Sequence, residues 1–472
     1  MTETAAAVYN KRDYSGSKKT KEGKTMELTD LSFEQLLKKG GHGCACGHHH
    51  GTTLEYLMIG QGAVRFLPEA MERIGARKAF IVCDENTRAA AWPLVEPVIT
   101  EAGIPFVLHM LEGAHVEPDE HAVGALCMAF DPTCDVVLAI GSGVVNDLSK
   151  VLAHAAGRKS MVIGTAPSMD GYASNSSSMI QNRIKVTLYN ACPAAILCDT
   201  DILKNAPMRM LQAGLGDMLA KYVSICEWRI SSIAIGEYYC ENVAALVRKS
   251  LNKCVSAAQG LKERDPKAIE AVTEGLVLSG IAMSFAQISR PASGLEHYFS
   301  HIWEMMALDR GTAYELHGIQ VGVGTYLTLR LYETIRALKP NRQKAEAFIG
   351  AFDNSAWEKE MREIFGAAAD AVIAGEHGKY HKNDPERHQA RLDNILSHWD
   401  EIQAIIAEEL PPAADIERLM RSLKMPVTPA DIGVSREDAY KALIGSRDIR
   451  DKYLTSSMLW DLGLLHEMKL AE

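Results

Sequence analysis

The stretch DVVLAIGSGVVNDLSK, residues 135–150, constrains this chain more than any other. A run of β-branched and apolar residues enters a glycine-rich turn, and the turn enters a helical pattern without a spacer. The first N–H groups of a helix have no partner within it and carry a partial positive charge, so this junction suits an anion. Gly141 and Gly143 let the backbone turn tightly and let a pyrophosphate approach. Val144, Val145, Asn146 and Asp147 form the first helical turn, and Lys150 follows one turn on. The spacing is not G-x-G-x-x-G, so the usual dinucleotide fingerprint is absent. Glycines here would also serve simply to pack helix against strand.

The surroundings repeat the pattern. RKAFIVC (77–83), PFVLHML (105–111), DVVLAIG (135–141), SMVIGT (160–165) and AAILCD (194–199) read as buried strands. TRAAAWPLVEPVITEAG and EHAVGALCMAF lie between them with apolar residues at helical spacing. Strand and helix in alternation predict a parallel sheet covered on both faces, an α/β nucleotide-binding domain over 53–200. Residues 201–472 are mostly of helical period and predict an α-helical second domain, as in PKAIEAVTEGLVLSGIAMSFAQIS (266–289). EHGKYHKNDPERHQ (376–389) reads as an exposed connection between two of its helices. Residues 1–52 read as a flexible polar leader followed by the glycine-rich segment GGHGCACGHHHG. No internal repeat is visible.

A second loop, GTAPSMDGYASNSS (164–177), follows the next strand and leaves the sheet at the same end as the first. Thr165, Ala166, Pro167, Ser168 and Ser174 can face a cofactor there, with Asp170 as a carboxylate beside Gly171. Asp84 ends the first strand. It can accept from adenosine ribose hydroxyls and repel a 2′-phosphate, which favours NAD over NADP, or it can cap the following helix.

The helical half holds metal-ligand chemistry. AGLGDMLAK places Asp217 after a glycine-flexed turn at a helix start. SRPASGLEHYFSHIWE sets His297 and His301 four apart on one helix face, and YELHG sets His317 beside a glycine. Two imidazoles and a carboxylate with open positions suit a catalytic divalent ion such as zinc, iron or nickel. Glu296, Glu304 and Glu315 lie close by as further ligands or as partners of the imidazoles. In CACGHHH, Cys44, Cys46 and His48 to His50 also offer thiolate and imidazole; the alternative is a mobile loop with incidental histidines.

The bulk properties set limits. At 472 residues the chain is too long for one compact core. A net charge of −10 argues against nucleic-acid binding. MTETAAAVYNKRDYSGSKK lacks the apolar run of a signal peptide, and no stretch reaches the ~18 uninterrupted apolar residues of a membrane span. Ten scattered cysteines, some in apolar runs (Cys83, Cys198), fit reduced thiols better than a disulfide framework. These features predict a soluble cytoplasmic enzyme without membrane insertion.

GSGVVNDLSK, TAPSMDGYAS, DTDIL, AGLGDMLAK, SRPASGLEHYFSH and ELHG, in this order, resemble the sn-glycerol-1-phosphate dehydrogenases of the iron-alcohol-dehydrogenase and dehydroquinate-synthase-like superfamily. The resemblance runs from about residue 53 to IRDKYLTSSMLWDLGLL (449–465). It implies an α/β domain and a helical domain with the active site in the cleft between them, and a homodimer. It implies Asp217, His297 and His317 as metal ligands, with Asp217, Asp170 and His301 at the substrate. Gly143 to Asp147, Thr165 to Ser168 and Ser174 would bind NAD or NADP. The implied reaction interconverts dihydroxyacetone phosphate and sn-glycerol 1-phosphate, a lipid-backbone precursor. The substrate phosphate needs cationic partners, for which Arg290, Arg310 and Lys221 are candidates. A polyol dehydrogenase with the same metal site, a dehydroquinate-synthase-like lyase and a non-catalytic binding protein are the competing readings. The chain departs from the pattern in having GSG for GGG, a longer interval between His297 and His317, and the segment before residue 53.

Overall fold

The structure, a computed structural model, describes residues 27–113, 116–181 and 184–470; most of the expected leader lies outside them. The five expected strands all form, as β2 (Ala79–Cys83), β3 (Phe106–Met110), β4 (Val136–Gly141), β5 (Lys159–Gly164) and β8 (Ala195–Asp199). A further strand, β1 (Tyr56–Gly60), joins them at the sheet edge. The order is β1-β8-β5-β4-β2-β3, and every neighbouring pair is parallel. Along β2 and β4, alternate side chains enter two separate cores. Phe80, Val82, Val137 and Ala139 face one way, and Ala79, Ile81, Val136 and Leu138 the other. That is why these strands are apolar throughout rather than alternating.

Register fixes the two glycine-containing loops relative to each other. Gly141 pairs with Gly164, so β4 and β5 end level, and Thr165 N–H donates to Gly141 O at 3.1 Å. Helices α1 (Glu85–Glu101), α2 (Glu120–Ala129) and α3 (Gly143–Ala155) connect the strands. The serine-rich loop expected over 164–177 runs at its end into an antiparallel hairpin, β6 (Ser176–Gln181) and β7 (Ile184–Tyr189).

Helices dominate after residue 200. The first are α4 (Met208–Leu219), α5 (Lys221–Ile235), α6 (Glu241–Ala257), α7 (Pro266–Ala286), α8 (Leu295–Arg310) and α9 (His317–Arg336). By length and hydropathy α7 could cross a membrane, but 83% of its apolar window is buried inside the protein, as a central core helix should be.

Two expectations need correction. Asp217 does not follow a turn: Gly214 and Gly216 lie inside α4, on the face pressed against α9 and the 165–168 loop. A Cβ on Gly214 would stand 1.9 Å from Pro167 O, and one on Gly216 2.2 Å from Gly318 O. Glycine is needed there for close approach of backbones, not for flexure. Nor is 376–389 simply an exposed connection. Glu376 and His388 are buried, and Lys382 Nζ donates to the carbonyls of Arg447, Arg450 (2.6 Å) and Lys452 (3.0 Å).

Candidate active site

A cleft of about 1700 Å³ runs from the carboxyl ends of β4 and β5 to the helical half. At the sheet end, Ser142, Gly143, Val144, Val145 and Asp147 line it, with Thr165, Ala166, Ser168 and Ser174 opposite. The Ser142 side chain does not cap α3; it bonds Ser168 Oγ at 2.6 Å and Ala166 O at 3.2 Å, tying the two loops together. The first N–H groups of α3 therefore keep no side-chain cap and stand ready for an anion. A Cβ on Gly141 would lie 2.4 Å from that of Val145, which is why this turn takes glycine.

Three of the expected cofactor residues stand behind this wall rather than on it. Gly141 is the buried turn, Asn146 Nδ2 donates to Gly171 O at 3.3 Å, and Pro167 backs onto Gly214. Lys150 is likewise consumed internally, by Asp147 Oδ1 at 2.9 Å and Gly171 O at 3.2 Å. Asp84 serves both readings in part: it caps α1 through Thr87 N–H at 2.8 Å, and it lines the cleft.

At the helical end α4, α8 and α9 converge. His297 Nε2 lies 3.3 Å from Asp217 Oδ1, and the His317 ring centre is 5.4 Å from that of His297. Each imidazole is held from behind by a carboxylate: Glu296 Oε1 lies 2.9 Å from His297 Nδ1, and Glu304 Oε1 lies 3.2 Å from His317 Nδ1. Ser300 Oγ adds a bond to His317 Nδ1 at 3.0 Å. Such pairs fix the tautomer and leave Nε2 free to ligate. Glu315 instead pairs with Arg209. His301, Glu304 and His317 also bring one donor atom each within 4.8 Å of one another. Because Glu304 is already engaged by Lys185, Ser300 and His317, its place is behind the imidazole.

Asp217 is wholly buried, and burial alone would raise its carboxyl. Lys221 Nζ at 3.0 Å and His297 outweigh that and hold it far below the ordinary carboxylate range. Lys221 also grips Asp170 Oδ2 at 2.8 Å and Ala292 O at 3.0 Å, so it is a brace between two acidic residues. It is not free to take a substrate phosphate. Asp170 reaches the cleft, held further by Ser279 Oγ at 2.8 Å, and its N–H donates to Asp217 Oδ2 at 2.9 Å. His301 is half-buried, and its Nδ1 is buried and unpartnered. Burial, helped by nearby Arg450 and His317, pushes it well below the usual imidazole range, so the ring is neutral. An ionised carboxylate, two oriented imidazoles and a buried imidazole nitrogen without a partner fit one divalent ion with a substrate beside it.

Basic groups collect beside His301. Arg290, Arg450, Lys452 and Lys185 all line the cleft. Arg290 is 1% exposed and pairs with Glu237 through Nε at 2.9 Å, while its Nη1 has no partner. Arg310 points elsewhere, onto Asp438 at 2.6 Å. Residue types alone did not mark Lys185, Arg450 or Lys452, since each reaches the cleft from a segment remote in sequence.

A parallel sheet whose loops offer an anion site, facing a helical half that carries a carboxylate–imidazole metal constellation, defines a nucleotide- and metal-dependent dehydrogenase class. Residues 58–207 match the family described as iron-containing alcohol dehydrogenase. Over the longer span the chain is 30% identical to the glycerol-1-phosphate dehydrogenase (NAD(P)+) of Halalkalibacterium halodurans, covering 87% of this chain and 93% of that one. It is 33% identical to the enzyme of the same name from Bacillus licheniformis, covering 91% and 94%. The chain belongs to the glycerol-1-phosphate dehydrogenase family. Among solved structures, 1,3-propanediol oxidoreductase shares the fold at a TM-score of 0.57 and 15% identity, over 87% of this chain and 97% of that one. Glycerol dehydrogenase from Schizosaccharomyces pombe shares it at 0.51 and 17%, over 80% and 93%.

Proposed function

We propose that this chain interconverts dihydroxyacetone phosphate and sn-glycerol 1-phosphate with NAD(P)(H), using one divalent ion held by Asp217, His297 and His317. The observation that carries the reading is the distribution of groups along one cleft: uncapped helix N–H groups at the sheet end, the ligand set at the helical end, and basic residues beside His301. When bound, the metal supplies Lewis acidity at the substrate oxygen, and the nicotinamide supplies or accepts hydride.

The protein's own residues do the rest. The N-terminus of α3 and the 165–168 loop hold the dinucleotide, with Asp84 toward its ribose. Asp170, fixed by Lys221 and Ser279, orients the substrate. Neutral His301 holds a substrate hydroxyl and can pass its proton toward water through the imidazole. Arg290, Arg450 and Lys452 take the phosphate; of the three candidates the sequence offers, only Arg290 keeps that role, and Arg310 and Lys221 lose it. The ion is zinc, nickel or iron, and the working form is a cytoplasmic homodimer. The family's name and this basic pocket favour a phosphorylated substrate over a plain polyol.

The test is NADH oxidation by metal-reconstituted protein, with dihydroxyacetone phosphate and dihydroxyacetone compared side by side and the product's chirality determined. Strong preference for the phosphate with sn-1 product supports the proposal. Equal or better use of the unphosphorylated ketone overturns it.

A further inference from the structure

The glycine-rich segment before the sheet does not stand alone. Gly41 bends it back, and His42–Gly43 pairs antiparallel with His49–His50, forming a small knuckle around Cys44 and Cys46. The knuckle sits on the helical half, where the α5–α6 connection delivers Cys240. Cys44, Cys46, His50 and Cys240 each offer one donor atom, all within 4.8 Å of one another. Cys44 Sγ lies 3.7 Å from Cys240 Sγ, and His50 Nε2 lies 3.4 Å from both Cys46 Sγ and Cys240 Sγ. In a tetrahedral zinc site with Zn–S of about 2.3 Å and Zn–N of about 2.0–2.1 Å, sulfurs stand about 3.8 Å apart and sulfur stands about 3.5 Å from nitrogen. Three of the six edges of that tetrahedron already have these lengths, and the remaining three are below 4.8 Å.

The surroundings match as well. His50 is fully buried, and its Nδ1 lies 2.8 Å from Phe285 O, which leaves the lone pair on Nε2 facing the sulfurs. Asn242 Nδ2 donates to Cys44 Sγ at 3.2 Å, and Tyr238 Oη lies 3.4 Å from Cys46 Sγ. Donors of this kind stabilise a thiolate cluster around a cation. His48 takes another part: it stacks on Tyr238 with ring centres 4.0 Å apart.

We propose that Cys44, Cys46, His50 and Cys240 form a second, structural zinc site that clips the N-terminal knuckle to the helical half. All four positions around the ion are filled by protein, so the site has no open place for substrate.

The test exploits sulfur, which the catalytic ligand set lacks. Asp217→Asn protein, stripped of its catalytic ion, is reconstituted with Co(II), and metal content is measured on Zn(II)-loaded protein. The expected result is one tightly held equivalent in Asp217→Asn with near-ultraviolet sulfur-to-cobalt charge-transfer absorption. The unsubstituted chain then holds two equivalents of zinc, Cys46→Ser one, and His49→Ala still two. Should Cys46→Ser fail to fold, the cobalt spectrum of Asp217→Asn decides alone. Absence of the charge-transfer band, or a Cys44–Cys240 disulfide found by mass spectrometry of the purified chain, overturns the proposal.

Discussion

Gly216→Ala sets two physical effects against each other. Gly216 lies within α4, and helix propensity alone would make alanine more stable by about 0.8–1.0 kcal/mol. The added Cβ would stand 2.2 Å from Gly318 O and 3.4 Å from Gly322 Cα. An ordinary carbon–oxygen contact is about 3.3 Å, so α4 and α9 must part by about 1 Å. Both partners are helix backbone, which cannot turn aside as a side chain would. Overpacking of this kind costs about 1–3 kcal/mol, which equals or exceeds the propensity gain. The larger consequence is chemical, because Asp217 follows Gly216 and His317 precedes Gly318. Separating the helices separates two of the proposed ligands, and a displacement of about 1 Å at a site can cost about 100-fold in rate. Gly124→Ala is the control: it lies within α2 with nothing near its would-be Cβ, so propensity acts there alone. Thermal melts and metal titrations of both variants supply the measurement. The expected result is a lower melting temperature and weakened metal binding for Gly216→Ala, and a raised melting temperature for Gly124→Ala. A Gly216→Ala protein at least as stable as its parent, with undiminished metal affinity, would refute the close-approach argument.

Asp217→Asn should abolish catalytic metal binding and turnover together; an active variant depleted of metal at this site would sink the ligand assignment. Arg450→Ala should raise KM for dihydroxyacetone phosphate about 10- to 100-fold, the equivalent of one charge-assisted hydrogen bond of about 1.5–3 kcal/mol, with little change for dihydroxyacetone. Arg310→Ala should leave both constants alone, and a reversed pattern would move the phosphate pocket. Burial, with Arg290 and Arg450 close by, lowers the Lys452 ammonium from 10.5 to about 7. The unfolded chain therefore holds this proton more tightly, and the residue's contribution to stability rises as pH climbs from about 7 to 10.5. A dianionic phosphate beside Lys452 reverses the preference. Calorimetry at pH 8 in buffers of different ionisation enthalpy should show proton uptake on substrate binding, abolished in Lys452→Met; no uptake in the parent would remove Lys452 from the site.

Much of the fold and of the site was legible in the residues themselves, because the physics involved was local. Short apolar runs rich in β-branched residues marked five strands, and the i, i+4 pair His297 and His301 marked α8. β1 escaped because YLMIG is half-buried along its length and shows neither alternation nor a wholly buried run. The β6–β7 hairpin escaped because its serines mimic a turn. Asp217 was singled out by its chemistry but misplaced in structure, since glycines near a carboxylate read as a bend when their use is contact between helices. Lys185, Arg450, Lys452 and Cys240 were not legible. Each acts through neighbours far away in sequence, and a lone cysteine or lysine carries no periodicity.

The docking of the first described residues has a consequence for how the chain divides. Leu28 joins the large core, Lys249 Nζ donates to Thr29 O at 2.6 Å, and the knuckle packs on Phe285 and Tyr238. All three contacts fall on the helical half, beyond the entire sheet. The helical half is thus discontinuous in sequence, and the nucleotide-binding sheet is an insertion within it. During synthesis Leu28 and the knuckle must wait for their helical partners until the sheet has been made and α5 to α7 have emerged. A truncation at residue 53 would therefore leave the sheet intact and strip a wall from the helices, and an isolated helical fragment beginning at 201 would lack part of its own core.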